Sequence, residues 1–470
     1  MQPSSVRLID KLNATHKAVL CLIPLIIAGL LTIFRETIAA TATQSLGVGI
    51  YGINIYQLLR VTCYAGFALI LIVLYKKTSP APSPVKTYHT TSHDPLLGLR
   101  FFAFMLVFMG HWFLVVYQSY DIGAILRSNT PYWLLTSSPW AGVWIFFTLS
   151  GYLMAKGFIN GRYLPDWHGI TTFYHKRALR IFPIYFSAAL IVGLMTTPEI
   201  FKLSQHTSLV NFVDTVLLDT NGVMPIGALW SIATEFQFYI MVPFIYLLTR
   251  GFFITIPRVV LGIITTAVVF LAYKLHLTIG VGLTHWHAFV YKPTLVNLDV
   301  FLFGMLTAYA VDFYRKKNVT FKHSLTIGVG LLAVLYIVAS YCSATYMVTA
   351  TPEIQGAFTC IAPIVTGLTT ALVVFLFEMR NTAMDKKPSI INHSLWWIAG
   401  QGGILTYSLY VWSEPVMIAL RKTAPVMAEL GKTDVIIYFL TMGCPILLIV
   451  ALFFYRMVEL PFDKKRSSLT

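Results

Sequence analysis

Arg100 and His111 stand eleven residues apart in an apolar stretch, Leu99 to Tyr117, where an ionisable side chain is costly unless paired or placed in a wet cavity. At about 100° per residue, eleven residues make three turns plus roughly 20°, so both side chains share one helix face about 17 Å apart along the axis. A polar seam is therefore expected from one surface to beyond the midplane. Glu235, in Leu229-Trp230-Ser231-Ile232-Ala233-Thr234-Glu235, lies about a turn and a half below the opposite surface, at a depth within several ångströms of His111. These two are expected to pair, because a carboxylate beside an imidazole fixes its tautomer and stabilises the imidazolium formed in general-base catalysis. A third group, His175-Lys176-Arg177-Ala178-Leu179-Arg180, sets Arg177 and Arg180 three apart. They share a face if their helix begins early, and such a fork suits phosphates. Blander readings stay open: a snorkelling Arg100, a structural histidine at 111, a structural ion pair at Glu235, and topological anchoring by Arg177 and Arg180.

The elements that position these residues follow from composition. Of 470 residues, 57% are apolar and 11% charged, with a mean hydropathy of +0.72, whereas soluble domains carry about 25% charged residues. The reading is an all-α polytopic transmembrane helical bundle. Apolar spans fall at 18–34, 54–75, 99–117, 140–158, 182–196, 230–249, 258–273, 299–313, 323–341, 357–378, 395–419 and 433–455, about twelve helices at roughly 20 residues per crossing. The span 299–313 is short and calls for tilt or thinning. When the spans alternate sides, 25 of the 34 Lys and Arg collect on the side of the N-terminus. By the positive-inside rule that side is cytosolic and both termini face it. The net charge of +15 is thereby explained by topology, and no nucleic acid is expected as a partner.

Residues 18–34 followed by Ala40-Thr41-Ala42 resemble a signal peptide with its cleavage site, but the apolar stretch is long and a retained anchor is expected. The polar segment 76–98 reads as a cytosolic linker. The division is residues 1–93 as hairpin and linker, 94–460 as a ten-helix core, and 461–470 as a short basic cytosolic tail. The cysteines, Cys21, Cys63, Cys342, Cys360 and Cys444, are scattered through apolar runs and show no disulfide or zinc framework. Thr284-His285-Trp286-His287 supplies two histidines, an incomplete metal site, and reads as a loop; no metal is expected.

Several of these residues fall in ordered motifs that resemble acyltransferase family 3, membrane enzymes that acylate surface sugars, lipid-linked glycans and some secreted small molecules. Arg100 and His111 match its R-x10-H. Phe146-Phe147-Thr148-Leu149-Ser150-Gly151-Tyr152 looks like F-F-x-x-S-G-[FY]. Arg177, Arg180 and Pro183 match R-x-x-R-x-x-P. Trp230-Ser231 through Glu235, Phe238 and Tyr239 matches W-S-x-x-x-E-x-x-F-Y, and Tyr407-Ser408-Leu409-Tyr410 matches a late Y-S-x-Y. The resemblance covers about residues 94–460. It implies a ten-helix core that takes acyl-CoA, with acetyl-CoA foremost, from the cytosol and acylates a glycan, glycolipid or hydroxylated small molecule at the outer side of the inner cell membrane. His111 would be the base, Glu235 part of the same site, and Arg100, Arg177 and Arg180 the donor side, supported by Ser150, Trp230, Ser231, Tyr239 and Tyr407. Acyl-CoA is then a substrate, and no tightly bound cofactor is implied.

Two positions depart from the family pattern. Trp144 stands where many members carry an acid, and Ser413 where many carry a histidine, followed here by Glu414 and Pro415. These changes bear on acceptor identity more than on the reaction. The short tail lacks the esterase-like domain found in some members, so a second transfer step is expected to need a partner. Direct transfer, with His111 deprotonating the acceptor and Glu235 steadying the imidazolium, is the mechanism favoured. A covalent route through His111 or Ser150 stays open, although Ser150-Gly151 also fits close helix packing. The rival classes are a transporter or flippase using the same seam and a non-catalytic assembly partner. A homo-oligomer is compatible with the sequence.

Overall fold

Ten helices run back and forth in the computed structural model, which describes residues 94–116, 133–134, 137–196, 226–281, 290–349, 351–380, 390–423 and 437–467. They are α1 (Pro95–Val116), α2 (Pro139–Ile159), α3 (Trp167–Thr196), α4 (Leu229–Thr249), α5 (Ile256–Val281), α6 (Leu298–Lys316), α7 (Ser324–Thr349), α8 (Pro352–Glu378), α9 (Ile390–Thr423) and α10, residues 439–467. The expected spans 18–34 and 54–75, the Ala40-Thr41-Ala42 site, the linker as far as residue 93, Cys21, Cys63 and the Thr284–His287 motif lie outside the described residues.

Local chemistry starts several of these helices where they are needed. Asp94 accepts the Leu96 N–H at 3.0 Å, and Asp166 accepts the Gly169 N–H at 2.7 Å. Ser138 accepts the Ala141 N–H at 3.3 Å, with Pro139 in the first turn of α2. Each side chain satisfies an N–H that has no partner within its own helix. The Asp166 cap opens α3 at Trp167, well before the apolar span 182–196. The group His175–Arg180 is therefore inside a helix, and Arg177 and Arg180 share a face. Hydropathy found only the lipid-facing part of α3, because its first turns pack against protein.

Helix α2 is the centre of the bundle and packs on α1 and α6, while α1 also packs on α9. Contact between α2 and α6 is backbone to backbone: a Cβ added at Gly151 would collide with the Phe301 carbonyl, and one at Gly304 with the Thr148 carbonyl. Small residues allow this approach. Gly151 thus serves the packing expected of the Ser150-Gly151 pair, while Ser150 is free for other work. On the outside, α5 and α7 turn Val260, Ile264, Val268, Ile327, Val334 and Val338 outward, as helices bathed in lipid do.

Eight of the ten helices are long and apolar enough to cross a membrane. Helices α6 and α9 fall short of that standard, so of the ten apolar spans expected within the described residues eight stand as crossings by length and composition. The reason is burial: α6 lies among α2, α5 and α8, so it can carry Asp299 and Asp312 without meeting lipid, and α9 carries polar side chains toward the interior. Helix α10 is continuous but contains two π-helical turns, Phe439–Gly443 and Tyr455–Glu459. The second brings Glu459 inward at 4% exposure. Wide turns of this kind commonly mark functional positions. Of the segment 461–470 read from sequence as a short basic tail, residues 461–467 continue this helix, whose Leu460–Ser467 end packs against α3.

Candidate active site

Five helices, α1, α2, α3, α4 and α9, form a partly open cavity whose polar lining is Arg100, Ser150, Arg180, Ser231, Glu235, Tyr239, Thr406, Tyr407 and Tyr410. Seven of these were named from sequence as site or supporting residues. Residues scattered over three hundred positions meet here because each motif sits on the inward face of its helix.

Glu235 is the hub. One of its oxygens accepts hydrogen bonds from Ser150 of α2 and from Tyr239, one turn further along α4. Its charge acts on Arg100 of α1 and Arg177 of α3, and Arg180 is the strongest charged neighbour of Arg100. Arg177 does not line the cavity. It stacks beside Phe173 and Tyr239, with its guanidinium 5.9 and 5.8 Å from the ring centroids, and donates to the Tyr163 hydroxyl at 3.4 Å. Side-chain hydrogen bonds tie these helices together: Tyr407 of α9 donates to Ile181 O of α3 at 3.0 Å, and Tyr174 of α3 donates to Ile240 O of α4 at 2.7 Å.

Toward the other end of the cavity, Ser231 shares a 2.6 Å hydrogen bond with Tyr410 and donates to Ala228 O. His111, the base expected from sequence, lies outside the lining. Its Nδ1 is 2.9 Å from Val107 O, a carbonyl that can only accept, so Nδ1 carries the proton and Nε2 is left as the base. The carboxylate whose charge reaches His111 is Glu414. The expected pairing of His111 with Glu235 is therefore corrected. Depth along two helices gave the same level, but rotation about their axes turns Glu235 toward Ser150 and Tyr239. Glu414 is itself held by the Ala228 N–H at 2.7 Å, and the missing side chain of Gly227 lets it come that close, since a Cβ there would stand 2.8 Å from Oε1.

Trp230 lies beside the cavity rather than in it, with its ring 4.8 Å from that of Tyr291. Trp144, the position where the family pattern often has an acid, packs edge-on to the same Tyr291 at 6.0 Å. That departure replaces a charge by aromatic packing. Ser413 bonds back to Tyr410 O at 2.8 Å within α9 and leaves its neighbour Glu414 as the charged group nearest His111.

Two further groups went unnoticed in the sequence. Glu459 of α10 accepts from Ser408 at 2.8 Å and faces Arg180. Tyr163, in the turn between α2 and α3, is 2% exposed and ringed by cations. Burial alone would push its phenol up, but Arg177, Arg162 and Lys176 bring it below the ordinary tyrosine value. The available signal for the carboxylates was their rarity: an acid inside an apolar span asks for a partner.

An all-helical membrane bundle with arginines, a carboxylate and an imidazole strung along one interior seam defines a class of intramembrane enzyme-like site. The chain belongs to acyltransferase family 3, whose Acyltransferase domain matches residues 96–455. It is similar to O-acetyltransferase OatA of Staphylococcus aureus, 26% identical over 370 residues that make up 73% of this chain and 55% of that protein. It is also similar to Acyltransferase MdmB of Streptomyces mycarofaciens, 29% identical over 167 residues, 33% of this chain and 39% of that protein. The chain thus matches about half the length of the OatA relatives. No solved structure matches.

Proposed function

We propose that this protein is a membrane O-acyltransferase that moves an acyl group, acetyl foremost, from cytosolic acyl-CoA to a hydroxyl of a glycan, glycolipid or related acceptor at the outer side of the membrane. Family membership implies acyl transfer, and the O-acetyltransferase likeness supports transfer of acetyl to an oxygen of the acceptor. The observation that carries the reading is the order of groups along one seam: Arg180 and Arg100 at one end of the cavity, Glu235 between, Ser231 and Tyr410 beyond, with His111 and Glu414 outside its lining, where Glu414 is tied to the start of α4 through the Ala228 N–H.

In this reading the donor's anionic end stays with the arginines and its pantetheine arm carries the thioester inward. The acceptor oxygen gives its proton to Nε2 of His111 as it attacks the thioester carbonyl; the carbon–sulfur bond breaks and the coenzyme leaves as thiolate. Glu414 stabilises the imidazolium, and Glu235, fixed by Ser150 and Tyr239, keeps Arg100 aimed into the cavity. Excluding water makes each of these electrostatic interactions stronger than it would be at a surface.

Purified protein in lipid nanodiscs, supplied with acetyl-CoA and a membrane extract, should release free thiol, and mass spectrometry should find acceptors heavier by one acetyl group. Substrate flux without acylation would favour a transporter instead. Thiol labelling of single introduced cysteines tests the orientation: 156–181 should be reached from the cytosol and 197–229 from outside, and the reverse would sink the donor-side assignment.

A further inference from the structure

The end of α10 brings charge to a place the proposed reaction leaves unexplained. Four cations, Arg162, Lys176, Arg177 and Arg466, gather around Tyr163. Arg162 and Lys176 lie 5.7 and 6.0 Å from its ring, and Arg177 donates to its hydroxyl. Arg466 is one-fifth exposed, bonds Asp463 at 3.0 Å, and feels the charges of Arg180 and Arg177. Burial pushes its guanidinium down to about 10. Asp463 is the carboxylate that bonds into this group among the described residues, so the cations outnumber it. A half-buried surplus of like charge is unfavourable unless an anion joins it.

The surplus forms a second tier. Glu459 of the same helix faces Arg180, and Arg466 lies seven residues on, about 10 Å farther along the axis toward the bundle's end. Lys176 is likewise about 6 Å before Arg180 on α3. An anion with charges spaced along its length would touch both tiers.

Resting on the acyl-CoA reading above, we infer that the end of α10 is a wall of the donor's entrance and that Arg466 and Lys176 bind the phosphates at the nucleotide end, the 3′-phosphate in particular. Glu459, through Ser408 and Arg180, pins α10 in that position. Arg100 and Arg180 are then left to the inner part of the donor.

The test is steady-state kinetics of the full-length protein in nanodiscs with three donors: acetyl-CoA, 3′-dephospho-acetyl-CoA and acetyl-pantetheine. The parent should prefer acetyl-CoA. Arg466→Gln should raise KM for acetyl-CoA about tenfold, the worth of one lost charged hydrogen bond, with a far smaller change in kcat. It should bring acetyl-CoA and its dephospho form close together, while KM for acetyl-pantetheine hardly moves. Lys176→Gln should act in the same direction, and Arg466→Lys should restore part of the preference. If KM for all three donors rises together and thermal stability falls with it, Arg466 only anchors α10 and the inference is overturned. If the parent prefers acetyl-CoA and both glutamine variants keep that preference, the inference alone fails. A parent that turns over none of the three overturns the donor reading and this inference with it.

Discussion

Lys274 of α5 and Asp299 of α6 form a pair 2.6 Å apart, with side chains 1% and 0% exposed. Arg100, Arg180 and Glu235 are half-buried, line a cavity, and their cations outnumber the carboxylate. The first arrangement is closed: one cation, one anion, both shut away from solvent. The second is open: its charge does not balance and its side chains face a void that a ligand can fill. Burial of charge marks both places equally in a sequence, so charge balance and free volume are what separate a structural pair from a site.

That contrast breaks most visibly at His111. Substituting alanine removes the group proposed as base, which typically costs about 10²–10⁴-fold in turnover, while the fold and membrane insertion should persist because the hydrogen bond His111 makes among the described residues stays within its own helix turn. Acetyl release measured on detergent-purified His111→Ala, alongside its elution as a monodisperse species, checks both halves. Turnover near that of the parent would remove His111 from the chemistry.

Much of this open region was legible beforehand, because motif spacing puts Arg100, Arg177, Arg180, Ser150 and Glu235 on inward faces whatever the exact helix ends. Three things were not. Rotation about the helix axes, which sends Glu235 to Ser150 and Glu414 to His111, depends on tertiary packing that depth along a helix does not report. The π-turn that carries Glu459 inward has no period that hydropathy detects. The last basic residues looked like a solvated tail because charge hides amphipathicity, and only their packing on α3 shows them to be part of the bundle. The closed pair was missed differently: Lys274 and Asp299 sit at span ends, where ionisable residues usually reach water.

The closed pair should behave in the opposite way to His111. Lys274→Met leaves a carboxylate buried without its cation, a change that costs about 3–5 kcal/mol in stability. Adding Asp299→Leu removes the orphaned charge and should recover most of that loss. Thermal unfolding in detergent measures both, and transfer per folded molecule should stay close to the parent in the double variant. Should the single variant prove as stable as the parent, or the double variant lose turnover while folded, the pair belongs to the functional seam after all.

The smallest effect, and the finest test of the open region, is conservative replacement of its arginines. Lysine keeps the positive charge and the topological signal but lacks the planar fork that binds an anion through two parallel bonds. Arg180 faces the cavity, so Arg180→Lys should weaken acyl-CoA binding about tenfold, one charged hydrogen bond's worth, without loss of stability. Arg177 is wedged against Phe173 and Tyr239 and bonded to Tyr163, so Arg177→Lys should lower donor affinity and stability together. Isothermal titration of the two variants against acyl-CoA, repeated across ionic strength, separates these outcomes. If both bind donor as the parent does at every salt concentration, neither arginine recognises phosphate. Positive charge at this end of the bundle then only sets which way the chain enters the membrane.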